Sequence, residues 1–165
     1  MFQYDDRFNS ISTILIITTF LIFSFSPLSP GHINAAIVTH DISSLPISFK
    51  DLINKSGNLT QSYQSETTKF ANGRYNNKTM IAITNDYLPK FQKVVDDSKN
   101  LQIAGQYYNA STLYTKSLES ELQSYMHFRN YLSTANSTES EASMQSLADA
   151  FDYENESFDA IRLIR

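Results

Sequence analysis

The sequence predicts an all-α protein, an antiparallel bundle of about four long helices that follows an N-terminal hydrophobic leader. Two observations support this fold class. The 165 residues include only four Gly and four Pro, which is too few for the many turns of an all-β protein. After the leader, apolar residues recur three and four positions apart in four segments of about 25 residues each. Because short connections join the segments, we expect neighbouring helices to be antiparallel and to close into an up-and-down bundle.

The first predicted helix carries one apolar stripe and has a signal at each end. Ser44 is a candidate N-cap, and Asn72-Gly73 predicts the end of the helix. The stripe consists of Leu45, Phe49, Leu52, Leu59, Tyr63 and Phe70. Their spacing predicts that this face packs against the other helices.

The second predicted helix keeps the same spacing until Gly105 and contains a proline. Its stripe consists of Met80, Tyr87, Phe91, Val94 and Leu101. Pro89 lies off that stripe. It therefore predicts either a kink on the outer side of the helix or a new helix start, capped by Asn85 or Asp86.

The third and fourth predicted helices repeat the pattern. The third runs from Tyr107 to about Ser133, and its stripe consists of Ala110, Tyr114, Leu118, Leu122, Tyr125 and Leu132. The fourth begins with a capping box, Thr138-x-x-Glu141. Its stripe consists of Met144, Ala148, Phe151, Phe158 and Ile161.

One stretch of the third segment resembles a known repeat. "GQYYNASTLYTKSL", from Gly105 to Leu118, resembles the turn and second helix of a tetratricopeptide repeat, with Ala110, Tyr114 and Leu118 at packing positions. A second Gly-x-Tyr begins at Gly73, 32 residues earlier, close to the family's period of about 34 residues, but the residues after it depart from the pattern. The resemblance implies tetratricopeptide-like helical hairpins, which bind proteins, as an alternative to a plain bundle.

The N-terminus indicates export. An uncharged run of 16 residues, "ISTILIITTFLIFSFS", is followed by prolines and small residues, which is the layout of a secretory signal peptide with cleavage after Ala35. An uncleaved membrane anchor is the alternative, although about 24 Å of helix is short of a hydrocarbon core of about 30 Å. A buried helix is a third reading. The predicted organisation is a signal peptide or membrane anchor at 1–35, a flexible segment at 36–43 and a helical domain at 44–165.

Six Asn-x-Ser/Thr sequons follow the leader, at Asn54, Asn58, Asn77, Asn109, Asn136 and Asn155. They are candidate N-glycosylation acceptors if the chain is exported. Helical phase predicts solvent exposure at the first five and poorer access at Asn155, which lies about 40° from Phe151 around the helix. The Asn-, Ser- and Tyr-rich composition also resembles exported proteins of archaea, which glycosylate their surface proteins.

The sequence contains none of the usual catalytic signatures. It has no Gly-rich phosphate loop, no His-Glu-x-x-His, no Gly-x-Ser-x-Gly and no cysteine. Its three histidines, His32, His40 and His127, are expected to be ordinary surface or leader residues. From Ala36 onward, 12 Lys and Arg face 15 Asp and Glu, a balance unlike that of a nucleic-acid-binding protein. We expect a non-enzymatic protein without cofactor or metal.

Two groups of side chains are candidate binding features. Asp149, Asp152, Glu156 and Asp159 fall within an arc of about 80° on the fourth helix, a candidate acidic surface for a hard cation or a basic partner, or simply a solvated face. Tyr107, Tyr108, Tyr114, Tyr125 and Tyr131 belong to the third helix, where they line a ligand cavity or form core. Glu119 and Glu121 lie on different faces and suggest no site.

These observations favour an exported, N-glycosylated helical module for protein–protein interaction or cell-surface assembly. The expected partner is another protein or a cell-surface component, with membrane contact only through an uncleaved leader. The expected location is secreted or at the cell surface, or membrane-anchored with the domain outside. The alternative is a small-ligand-binding or sensory helical bundle, which a closed polar cavity between the third and fourth helices would favour.

Overall fold

The structure is a computed structural model that describes residues 45–164. The predicted leader (1–35) and flexible segment (36–43), the candidate N-cap Ser44, and His32 and His40 lie outside the described residues.

Four long helices make up the described part of the chain. They are α1 (Ile47–Ala71), α2 (Asn77–Lys99), α3 (Tyr108–Thr134) and α4 (Ser137–Arg162), and a short 3₁₀ helix (Gly105–Tyr107) precedes α3. Between residues 45 and 164 there is no β-strand. The predicted all-α fold with four long helices is confirmed.

Neighbouring helices are antiparallel, because later residues of one helix contact earlier residues of the next. The contacting pairs are Lys55 with Asp97 and Ser62 with Tyr87 for α1 and α2, Phe91 with Tyr125 and Lys99 with Glu119 for α2 and α3, and Ala110 with Ser157 and Ser124 with Ser143 for α3 and α4. The helices therefore run up, down, up and down, which makes α1 and α3 parallel.

The helix ends follow local capping chemistry, with one departure from the sequence prediction. Gly73, with φ of 72°, follows the end of α1 as predicted. The capping box predicted at Thr138 is wrong, because α4 begins at Ser137 and its N-cap is Asn136, two residues before the predicted cap. The Asn136 side chain accepts a hydrogen bond from the backbone N–H of Thr138. Pro89 is exposed within a continuous α2, so no new helix begins there.

The predicted stripes of α1, α2 and α3 form the core. All six stripe residues of α3 are buried, and the rings of Tyr63, Phe91 and Tyr125 pack in tilted and edge-on arrangements with centroids 4.5–5.8 Å apart. The Tyr63 hydroxyl is hydrogen-bonded to Thr84 Oγ1 at 2.9 Å. This partner satisfies a hydroxyl that would otherwise be costly to bury.

The stripe predicted for α4 is largely wrong. Of its five residues only Ile161 is buried, and Phe151 is 47% exposed. The buried face instead carries small residues that approach small residues of α3. We call this contact the serine seam, formed by Ala110, Ser117 and Ser124 on α3 and by Ser143, Ala150 and Ser157 on α4. Ser143 Oγ donates to the backbone oxygen of Ser124 at 3.0 Å, which requires close approach of the two backbones.

Candidate functional site

A cavity of about 300 Å³ lies between α1, α3 and α4. α1 contributes its Ser56–Gln64 face to the cavity. The residues from the other two helices are Tyr114, Ser117, Leu118, Glu121 and Tyr125 on α3 and Leu147, Ala150, Phe151 and Glu154 on α4. Gly57 leaves a gap in the α1 wall, because it is exposed and a Cβ at this position would contact nothing within 4 Å. The seam holds α4 close to α3, so the space remains between α4 and α1.

Glu121 is the most tightly bound acid in the cavity wall. Its Oε1 accepts hydrogen bonds from Thr60 Oγ1 at 2.7 Å and from the Tyr125 hydroxyl at 2.5 Å. Burial raises the pKa of the Glu121 carboxyl, and the two hydroxyl donors partly offset that rise. The pKa of Tyr125 is raised well above its usual value by burial and by the neighbouring Glu121 charge. Tyr125 therefore stays protonated and acts as a fixed donor to Glu121.

Glu154 is the second acid in the cavity wall. Burial, and secondarily the negative charge of Glu121, raises the pKa of Glu154 to about 7. Among the ion pairs of residues 45–164, none includes Glu121 or Glu154. The cavity thus contains two acids that repel each other when ionised and have no basic partner in the described part of the chain.

Tyr114 forms part of the floor of the cavity. Its hydroxyl lies 2.7 Å from Ser56 Oγ, and its ring packs edge-on against Phe49 with centroids 5.7 Å apart. Burial, together with the charges of Glu154 and Glu121, raises the pKa of Tyr114. This part of the floor is therefore an aromatic ring whose hydroxyl group is already hydrogen-bonded.

The six sequon asparagines are all exposed. The prediction of exposure is confirmed for Asn54, Asn58, Asn77, Asn109 and Asn136. The poorer access predicted at Asn155 is wrong. That prediction took Phe151 as a marker of the packed face, whereas Phe151 is itself 47% exposed.

In the described part of the chain, no ion pair links the candidate acidic surface on α4 to another helix, and none of its four residues lines the cavity. Asp152, Glu156 and Asp159 are exposed and Asp149 is half-buried. Asp149 accepts a hydrogen bond from Gln145, and Asp159 pairs with Arg162 of the same helix. Within residues 45–164, no group of three or more His, Cys, Asp or Glu side chains is arranged to hold a metal ion.

His127 has a local structural role. Its Nδ1 lies 2.8 Å from Glu139 Oε2, which links α3 to the first turn of α4. This hydrogen bond to His127 holds the pKa of Glu139 below its usual value. The His127 side chain is half-buried at the contact between α3 and α4, whereas the sequence predicted an ordinary surface histidine.

Sequence reasoning missed both cavity acids. Glu121 lies three residues after Leu118 and four before Tyr125, which places a carboxylate beside the buried stripe of α3. Glu154 falls between Ala150 and Ser157 at the spacing of the buried face of α4. An acid at a core-facing helical position is the signal that could have identified each of them.

The fold and the cavity together define an antiparallel four-helix bundle with an acidic cavity that is open to solvent between α1, α3 and α4. In comparisons with known proteins, no family model, no curated protein and no solved structure matches the chain. The likeness of the Gly105–Leu118 stretch to a tetratricopeptide repeat therefore stays a prediction. In the described part of the chain, none of the helices has the length and apolar character needed to cross a membrane.

Proposed function

We propose that the protein is a ligand-binding helical bundle that takes a small molecule into the cavity between α1, α3 and α4. The observation that carries this proposal is the cavity of about 300 Å³ with both apolar and polar walls. Its volume is at the lower end of the range of about 300–1,000 Å³ that is typical of ligand sites. Leu118, Leu147 and Phe151 supply the apolar part, and Gln61 and the two glutamates supply polar groups.

The polar groups in the wall support a binding role over a packing role. A bundle core gains stability from apolar side chains, whereas an acid without a basic partner costs free energy when it is removed from water. Glu121 and Glu154 both bear this cost, as their raised pKa values indicate. Acids whose pKa is perturbed by burial and by a neighbouring charge, and which lie in a cavity, are typical of functional sites.

The test is a thermal-shift screen of the full chain against small amines, carboxylates, sugars and neutral aromatics. Gly57→Phe closes the gap in the α1 wall and suits the helix better than glycine does. Ala82→Phe adds the same ring at an exposed position of α2, away from the cavity, and is the matched control.

We expect at least one compound to raise the melting temperature of the wild type and of Ala82→Phe. The same compound should not raise the melting temperature of Gly57→Phe. A ligand that binds the native state stabilises it in proportion to the logarithm of its concentration over Kd. If no compound shifts the wild type, or if both Phe variants respond like the wild type, the cavity is not a ligand site.

A second candidate function is an exported, N-glycosylated module for protein–protein interaction or cell-surface assembly, secreted or anchored outside the membrane. The observation that favours it is the exposure of all six acceptor asparagines. A glycan needs such exposure because it is bulky and hydrophilic. The mass of the native protein tests this candidate. Both candidates are non-enzymatic, and neither requires a cofactor or nucleic acid.

A further inference from the structure

We propose that the ligand is a small organic cation, a protonated amine with a compact apolar body, whose ammonium group lies between Glu154 and Glu121. This inference rests on the proposed ligand-binding function and specifies the class of ligand.

The hydrogen bonds of Glu121 leave one of its oxygens available. The hydroxyls of Thr60 and Tyr125 both donate to Oε1. No hydrogen bond between described residues reaches Oε2. Because every fully buried side-chain nitrogen and oxygen in residues 45–164 has a hydrogen-bond partner, an oxygen without one must be accessible to solvent. The same holds for the carboxylate of Glu154. Because both side chains line the cavity, these oxygens are acceptors for a donor that enters it.

The charges of the cavity wall favour a positively charged ligand. The α1 residues of the wall are Ser56, Gly57, Thr60, Gln61 and Gln64, none of which carries a charge. The α3 and α4 parts of the wall contain two acids and no base. A cation relieves the repulsion between Glu121 and Glu154, whereas an anion adds to it.

The shape and chemistry of the wall favour an organic cation over a metal ion. Divalent hard cations take six or more oxygen ligands, and the described residues contain no suitable cluster of three or more ligating side chains. Tyr114, Tyr125 and Phe151 line the same space, and Phe151 is the exposed one of the three. Aromatic faces attract ammonium groups and also accommodate an apolar body.

The experiment is isothermal titration of the full chain with three amines, 2-phenylethylamine, cyclohexylamine and n-butylamine. The corresponding neutral alcohols and the anion 3-phenylpropanoate serve as comparison ligands. Glu154→Gln keeps the shape of the side chain and removes its charge. Glu141→Gln removes a charge from an exposed position of the same helix and is the matched control.

We expect at least one amine to bind the wild type and Glu141→Gln with equal affinity and to bind Glu154→Gln about tenfold or more weakly. Its neutral alcohol should bind more weakly than the amine and should not distinguish the variants. 3-Phenylpropanoate should not bind.

Three outcomes would overturn the inference. If the alcohol binds as tightly as the amine, the ligand need not be a cation, and if Glu154→Gln leaves the affinity of the amine unchanged, Glu154 does not hold the ammonium group. In either case the inference fails, and the Gly57→Phe variant decides whether the proposed function stands. If none of the three amines binds, the inference also fails. The Gly57→Phe screen then decides whether another class of ligand occupies the cavity.

Discussion

The Ser157 hydroxyl of α4 donates a hydrogen bond of 2.8 Å to the backbone carbonyl oxygen of Ala110 in α3. Ser157 and Ala110 are both fully buried. A bond from such a short side chain to the backbone of another helix is geometrically feasible only where the two helices lie very close. This contact lies at one end of the serine seam, and the contact of Ser143 with Ser124 lies toward the other end. The seam fixes α4 on α3 and so fixes the cavity wall that carries Glu154.

The first prediction concerns the seam. We expect Ser157→Leu to lower the free energy of unfolding by about 1–3 kcal/mol, because added methylenes have no space between closely packed helices. Ser157→Ala should lower it by about 0.5–1.5 kcal/mol through loss of one hydrogen bond. Chemical denaturation measures both. Gln145→Leu, at an exposed position of α4, is the control and should change stability little. Equal stability of the wild type and Ser157→Leu would show that the helices are not closely packed here.

The second prediction concerns the floor of the cavity. Tyr114 is 3% exposed and Leu118 is 4% exposed. We expect Tyr114→Ala and Leu118→Ala each to lower the free energy of unfolding by about 2–5 kcal/mol, as large truncations in a core do. Tyr114→Phe keeps the ring and loses only the bond to Ser56, so its effect should be about 0.5–1.5 kcal/mol. Similar losses for the Ala and Phe variants of Tyr114 would mean that its ring does not pack in the core.

Helical periodicity was sufficient to predict the core of α1, α2 and α3, because those helices bury large apolar side chains. It failed on α4, where the buried face is built from Ser143, Ala150 and Ser157. A search for large apolar residues selects Phe151 instead, which is half exposed. Small residues become favourable in a core only when a facing helix also carries small residues, and a single helical stripe does not show which residues it will face.

The candidate site was less accessible to prediction for a related reason. The sequence shows that Glu121 and Glu154 are acids, but not that α1 leaves space beside them. That space depends on how three helices pack, and α4 was assigned the wrong face. The exposed acids Asp152, Glu156 and Asp159 stood out in the sequence because they are aligned, whereas the acids that share a cavity lie on different helices.

The third prediction is a decrease in stability as pH rises toward neutrality. The pKa of Glu154 is raised from 4.5 to about 7 in the folded chain. Between those values the folded state holds a proton that the unfolded state has released, so the free energy of unfolding falls as pH increases. The expected fall is on the order of 2–3 kcal/mol. Urea denaturation at a series of pH values from about 5 to 8 measures it.

Glu154→Gln separates this effect from other titrations. The free energy of unfolding of the variant should equal that of the wild type near pH 5 and exceed it near pH 8. A weaker dependence of this free energy on pH should remain in the variant, because the pKa of Glu121 is also raised. Glu121, Tyr114 and Tyr125 are the titratable groups of α3 that share the wall with Glu154, and α1 contributes only uncharged residues to it. The carboxyls with lowered pKa values, Glu66, Asp97 and Glu139, lose their stabilising charge in more acidic solution. An unchanged slope in Glu154→Gln would contradict the assignment.

The fourth prediction concerns export. We expect the native protein to begin near Ala36 and to lie outside the cytoplasmic membrane, because the uncharged run is short and ends in prolines and small residues. N-terminal sequencing or intact mass measurement of the native chain gives the answer. An intact Met1 on a cytosolic protein would contradict both export and glycosylation.

The last prediction is that Asn136 carries a glycan while it caps α4. Its side-chain Oδ1 accepts the hydrogen bond from the Thr138 N–H, whereas a glycan is attached to Nδ2, so one side chain can do both.

Asn136→Asp keeps an acceptor at the N-cap and removes the glycosylation site. Asn136→Gln removes the site and also weakens the cap. For protein made in its native host, we expect both variants to lose the mass of one glycan. Only Asn136→Gln should also lower the free energy of unfolding, by about 0.5–2 kcal/mol, because it weakens the N-cap. Denaturation of the deglycosylated proteins measures this difference. If the wild type and both variants differ only by the mass of the substituted residue, Asn136 is unmodified and its sequon reflects the composition of the chain.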